Sequence, residues 1–126
     1  MGRLLLVCLG GAIGTGARFL VSEWAVQALG ANFPWGTFLV NSIGSFLLAM
    51  VVYAAFEASA ISPTTRLVLG TGVMGGFTTY SSFSFEAMRY AQTGSWGFAA
   101  MYVATTVVVC FLACFAGWAT ARILLS

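Results

Sequence analysis

Four long apolar stretches alternate with three short polar ones along the chain, and each apolar stretch can cross a bilayer, which takes roughly 20 residues per helix. The pattern predicts helices at about residues 4–28, 36–56, 66–90 and 98–124. Gly30 to Trp35 reads as the first turn, because Pro34 is excluded from a helix interior and Trp35 suits the depth at which amphipathic rings settle. Glu57 to Thr65, with Pro63, makes the second connection, and Gly94 with Trp96 marks the third. The third apolar stretch is unlike the others. From Gly75 to Ser84 it contains two glycines and five serines or threonines, so its helix is expected to be broken near mid-membrane. Hydrocarbon offers neither donor nor acceptor, and a broken backbone there must face protein, water or an ion. Gly75 and Gly76 permit conformations closed to other residues. Carbonyls freed beside them suit a hard cation, which takes oxygen ligands.

Composition turns this pattern into a class. The 126 residues are 60% hydrophobic and only 6% charged, where a soluble globular domain carries about 25% charged residues. The chain reads as an all-α integral membrane protein of four transmembrane helices, one membrane domain over 1–126 with lipid around it. The first stretch is expected to be a retained helix rather than a cleaved signal, since it holds Arg18 and no small-residue cleavage site follows a bounded apolar core. There is no His, Asp or Lys, which removes histidine catalysis, histidine metal sites and lysine Schiff bases together, and no enzyme is expected. A net charge of +2 does not suggest nucleic acid as a partner. Cys8, Cys110 and Cys114 all lie in apolar stretches, and an odd number with two spaced four apart is not a disulfide framework. Arg3, Arg66 and Arg122 share one side of a four-crossing chain, against Arg89 on the other. That bias toward a cytoplasmic N-terminus is small enough to leave insertion in both orientations open.

The few polar groups inside the apolar stretches are the candidates for chemistry. Gly10 and Gly14 form a G-x-x-x-G pair that lets two helices approach closely. Arg18, whose burial in a spanning helix costs at least ~2.5 kcal/mol, must find Glu23, a helix end, water or headgroups; it is either an anchor or part of a wet vestibule. Asn41 is the one strongly polar side chain of the second helix and either ties two helices together or donates to something passing, with Ser42, Gly44 and Ser45 keeping that surface small. On the third, Tyr80, Phe83 and Ser84 lie on neighbouring parts of one face, and Glu86 and Arg89 come next at a spacing that allows pairing near a membrane surface. On the fourth, Tyr102, Thr106, Cys110 and Cys114 are spaced four apart and make a weakly polar track along the helix. With Thr78, Thr79 and Ser81, these groups donate and accept hydrogen bonds but supply no proton-transferring base near neutral pH. That favours passage over reaction. An aromatic ring has a positive edge, so Tyr80 and Phe83 presented edge-on suit a small, partly dehydrated anion, with fixed donors replacing its water. Four helices leave mainly a packed core between them, so an oligomer is expected, and a two-fold pair is the commonest kind.

The chain resembles the Fluc (CrcB) family of fluoride channels over essentially its whole length. The resemblance is carried by Gly10-Gly11-x-x-Gly14-x-x-x-Arg18, by Gly36-Thr37-x-x-x-Asn41, and most specifically by Thr71-Gly72-x-x-Gly75-Gly76-x-Thr78-Thr79-x-Ser81-x-Phe83-Ser84-x-Glu86. It implies an antiparallel, dual-topology homodimer with two pores, passively exporting fluoride across a bacterial plasma or inner membrane. It also implies a sodium ion held at the dimer interface by the main-chain carbonyls of Gly75 and Thr78 from each subunit. By the same resemblance the fluoride path runs past Asn41, past Tyr80 and Phe83 in the place of a phenylalanine pair, and along Tyr102 and Thr106 toward Cys110 and Cys114. Ser81 and Ser84 join that path, and Arg18 and Glu86 serve as vestibule or anchor. There are two departures from the family: Tyr80 stands where phenylalanine is usual, and Cys110 and Cys114 stand where hydroxyl residues are common.

Two other functions fit a small apolar four-helix chain. A proton-coupled secondary transporter of the multidrug kind needs a membrane-embedded carboxylate, and Glu23, Glu57 and Glu86 all read as lying near helix ends. A non-conducting scaffold subunit needs only the G-x-x-x-G faces and leaves the hydroxyl-rich break unexplained.

Overall fold

The computed structural model describes residues 1–126, all of its regular structure helical. Helix α1 (Gly2–Leu29) is about 42 Å long at 1.5 Å per residue. Helix α2 (Trp35–Val52) passes without interruption into a π-helical turn (Tyr53–Glu57). These two, with α6 (Trp96–Leu125), are the helices long and apolar enough to cross a membrane. Between them the chain from Pro63 to Gln92 is built of shorter pieces. Ser62 starts α3 (Pro63–Arg66) by accepting the Thr65 N–H at 3.1 Å, and Pro63 occupies the first turn, where its missing donor costs nothing. A π-helical segment (Leu67–Met74) and a short α4 (Gly75–Phe77) continue the same rod.

The chain then extends at Thr78 (ψ 161°) and Thr79 (φ −151°, ψ 114°) before α5 (Tyr80–Gln92) begins. Thr79 is both the break and the start signal, because its Oγ1 accepts the Ser82 N–H at 3.2 Å. The interruption therefore falls two residues beyond the Gly75–Gly76 pair, and Gly75 itself is helical (φ −60°, ψ −40°). The glycines serve close packing instead of unusual torsions. A methyl at Gly76 would strike the Gly11 carbonyl and sit 3.0 Å from the Thr15 nitrogen; one at Gly72 would lie 2.9 Å from the Val7 carbonyl, and one at Gly10 2.8 Å from that of Val68. Helix α1 thus lies backbone to backbone along the π segment and α4, as small residues allow in lipid.

The other large contact is α2 on α6, where Gly117 meets the Phe46 carbonyl, and α5 also packs on α6. Only 15 of 126 residues are buried, among them Val40, Phe77, Phe83 and Tyr102. Leu5, Ile13, Phe111, Phe115 and Ile123 point outward. An apolar exterior around a small core suits a chain whose solvent is lipid.

Candidate functional site

The site grows from the problem the break creates. Where a helix stops inside a membrane its free N–H and C=O groups need partners, and here side chains from two other helices supply them. Asn41, on α2, clasps the Thr79 backbone from both sides: its Nδ2 donates to the Thr79 carbonyl at 2.9 Å and its Oδ1 accepts the Thr79 N–H at 2.7 Å. Arg18, on α1, donates from Nε to the Gly76 carbonyl at 2.9 Å. Of the partners open to it, the guanidinium has taken a helix end rather than Glu23. Thr78 folds its hydroxyl back onto the Met74 carbonyl at 2.9 Å.

These substitutions leave acceptors behind. In an uninterrupted helix the Gly75 carbonyl would accept from Thr79 N–H and the Thr78 carbonyl from Ser82 N–H. The first donor has gone to Asn41 and the second to Thr79 Oγ1. The carbonyls of Gly75 and Thr78 therefore have no helical donor, and both residues border the same cavity.

That cavity is an open groove of about 380 Å³ between α2, the broken segment and α6. Asn41, Ser45, Tyr80, Phe83, Thr106 and Cys110 are among its lining residues. Phe83, 8% exposed, packs steeply tilted between two other rings, with centroids 5.8 Å from Tyr80 and 5.2 Å from Tyr102. Tyr80 is 80% exposed and swings to the outside of the chain. Ser42 and Ser45 bond back to the Phe38 and Asn41 carbonyls at 2.7 Å, as serines in helices do. Thr106 does not: it is 4% exposed and its buried Oγ1 has no hydrogen-bond partner. A buried hydroxyl without a partner is unusual and costs about 1–3 kcal/mol.

Beyond Phe83 the polar row continues in a different form. Tyr102 is fully buried and donates to Glu86 Oε1 at 3.0 Å, while Thr37 donates to Glu86 Oε2 at 3.0 Å. These two hydroxyls, not Arg89, are the hydrogen-bond partners of Glu86. Glu86 sits in the middle of α5 and is only partly exposed, rather than near a helix end as its position in the sequence implies. Both Glu86 and Arg89 border a second cavity of about 350 Å³ beneath the 30–35 turn. Ser81 and Ser84 are exposed and line neither cavity; Ser81 Oγ lies 3.5 Å from Thr79 Oγ1. Arg18 lies on the α1 side of the break, outside both. Sequence reasoning misses Thr37 as a partner of Glu86. The signal is its place one turn before Asn41 on the same face of α2.

The family described as CrcB-like protein, Camphor Resistance (CrcB), matches residues 5–118. The chain is 55% identical over 116 residues to the fluoride-specific ion channel FluC of Anaeromyxobacter sp. (strain K), covering 92% of each. It is 49% identical over 126 residues to that of Sorangium cellulosum (strain So ce56), covering 100% of this chain and 99% of the relative. To that of Agrobacterium fabrum (strain C58 / ATCC 33970) it is 45% identical over 120 residues, covering 95% and 96%.

Proposed function

The chain belongs to the CrcB family and is a fluoride channel, not an enzyme; we propose that fluoride crosses it along the groove beside the broken helix, stripped of part of its water. The observation that carries this route is the Thr106 hydroxyl, buried and unpartnered, on a residue that lines the groove with the break. A donor kept free of its own helix is what a passing anion needs in exchange for a water. The ring edge of Phe83 and the second Nδ2 hydrogen of Asn41 extend that row of positive dipoles. Beyond it, Tyr102 leads to the second cavity. Glu86 does not stand as a bare charge beside this route, because Thr37 and Tyr102 both donate to it.

The proposal extends to the assembly. The chain crosses the bacterial plasma membrane four times, the third crossing being the interrupted one, and two copies pair antiparallel about a two-fold axis. Each copy's groove is open on one side, which is how an unclosed half of a path looks. A sodium ion fits between the copies, held by the carbonyls of Gly75 and Thr78 from each. These are two of the acceptors that the break has deprived of helical donors, and hard cations take carbonyl oxygen. Bound there, the ion would supply the positive charge that lets four carbonyl dipoles point at one another.

The test is efflux from liposomes loaded with fluoride or with chloride. Rapid fluoride release with chloride retained is expected. Equal release of both anions, or of neither, would overturn the route.

A further inference from the structure

We propose that Cys110 and Cys114 form a two-thiol site for a soft divalent cation of the mercury(II) kind, and that its occupation closes the groove to fluoride. The closure rests on the reading of the groove as the fluoride path; the binding site does not.

Both thiols are carried by α6 one turn apart, which places their Cβ atoms about 5–6 Å from each other. Both turn toward the same stretch of α2. Cys110 Sγ lies 3.9 Å from Ser42 Oγ, and Cys114 Sγ lies 3.5 Å from the Ser45 carbonyl. Neither contact is a strong one, since thiols are weak donors and weak acceptors. The serine hydroxyls are already committed to their own helix. Metal–thiolate bonds of the zinc length, about 2.3 Å, span about 4.6 Å between two sulfurs. Cys110 lines the groove and Cys114 a third hollow of about 400 Å³ that shares Leu48 with it, so a cation has room to arrive.

The ligand set selects the ion. No cluster of three or more His, Cys, Asp or Glu side chains surrounds any point of the chain, which leaves a four-coordinate zinc site incomplete. Two sulfurs satisfy a soft ion that accepts linear coordination, and thiolate is the donor such ions prefer. Charge selects further. Two S–H groups release two protons to solvent as two S–metal bonds form, so a divalent ion gives a neutral complex, the form that low-dielectric surroundings favour. The unpartnered Thr106 hydroxyl is one turn along the same row. A bound cation at Cys110 would sit where an ion leaving Thr106 must next go.

The probe is mercury(II) on the purified full-length protein, in a Cys8→Ser background so that only the α6 thiols remain. X-ray absorption is expected to find two sulfur neighbours per mercury, falling to one in Cys110→Ser or Cys114→Ser. In liposomes, mercury is expected to slow fluoride efflux at least tenfold relative to the same sample untreated, with dithiothreitol restoring it. The Cys110→Ser/Cys114→Ser pair, compared with its own untreated rate, should be insensitive. One sulfur per mercury in the background protein would overturn the site, as would equal inhibition of the double variant. A two-sulfur complex that leaves efflux unchanged would overturn the closure alone. Absence of efflux before mercury is added would count against the channel route and leave the absorption result to judge the site.

Discussion

Asn41→Asp separates the two roles that Asn41 fills, holding the break and facing the anion. The substitution is nearly isosteric, and Oδ1 can still accept the Thr79 N–H at 2.7 Å. It removes the Nδ2–H that now donates to the Thr79 carbonyl at 2.9 Å, putting an acceptor oxygen in its place. The lost hydrogen bond is worth about 0.5–1.5 kcal/mol, and the Thr79 carbonyl, as N-cap of α5, still accepts the first helical N–H. The fold should therefore survive with a lowered melting temperature. The effect on passage is electrostatic. An anion within about 5 Å of the new carboxylate, at an effective dielectric constant near 20, is repelled by roughly 3 kcal/mol. Each 1.36 kcal/mol on a barrier is tenfold in rate, so flux at neutral pH should fall about a hundredfold or more. Lowering the pH far enough to protonate the introduced carboxylate removes the repulsion and should return part of the flux. A fluoride electrode tracking efflux from liposomes at several pH values reads both effects, with Asn41→Ser as the uncharged comparison. Undiminished flux in a folded Asn41→Asp protein at neutral pH would refute the placing of Asn41 on the path.

Phe83→Ile removes the ring edge between Tyr80 and Tyr102; it should cut fluoride flux severely while size-exclusion chromatography shows the assembly unchanged, and undiminished flux would take that ring off the path. Gly76→Ala drives a methyl against the Gly11 carbonyl, and overpacking of this kind costs about 1–3 kcal/mol or more. Its melting temperature should fall clearly, whereas Gly16→Ala, with nothing within 4 Å, should leave it unchanged. If Gly75 and Thr78 hold sodium, dialysis into sodium-free buffer should lower the melting temperature or conduction, and sodium should restore them better than potassium; indifference to the exchange would remove the ion.

The apolar helices are legible in the sequence to within a few residues because hydrophobic run length is a direct record of bilayer thickness: 4–28 is Gly2–Leu29 in the fold, and 98–124 is Trp96–Leu125. The location of the break is less legible. Glycines look like breaking points by propensity, but inside a membrane their commonest service is to let another backbone come close, and Gly72 and Gly76 do that against α1. Thr78 and Thr79 break the helix because Asn41 holds the Thr79 backbone and Thr79 can cap α5. That depends on a contact across 38 positions, which no local window contains. Glu86 is misplaced by sequence reasoning for a related reason: a carboxylate in an apolar stretch reads as a helix end until Thr37 and Tyr102, from two other helices, are seen to hold it.

Ions belong where the proposed function puts them because every backbone group released at a mid-membrane interruption must be recaptured, and lipid cannot do it. Arg18 recaptures the Gly76 carbonyl, Asn41 both polar atoms of Thr79, and Thr79 the Ser82 N–H. The groups left over include the Tyr80 and Ser81 N–H groups that open α5, which have no intrahelical acceptor, and several carbonyls. At the interruption the carbonyls of Gly75, Phe77 and Thr78 lack their helical donors and can only accept, and those of Gly75 and Thr78 belong to residues that border the groove, where they meet the need of a cation. Among the groove's lining residues one hydroxyl, that of Thr106, is buried without a partner. That hydroxyl answers the need of an anion. Because Asn41 uses both of its polar atoms to fix Thr79, the same residue sets the positions of the Gly75–Thr78 acceptors and lines the groove with Thr106. A single side chain thereby ties the geometry proposed for the sodium ion to the geometry proposed for fluoride.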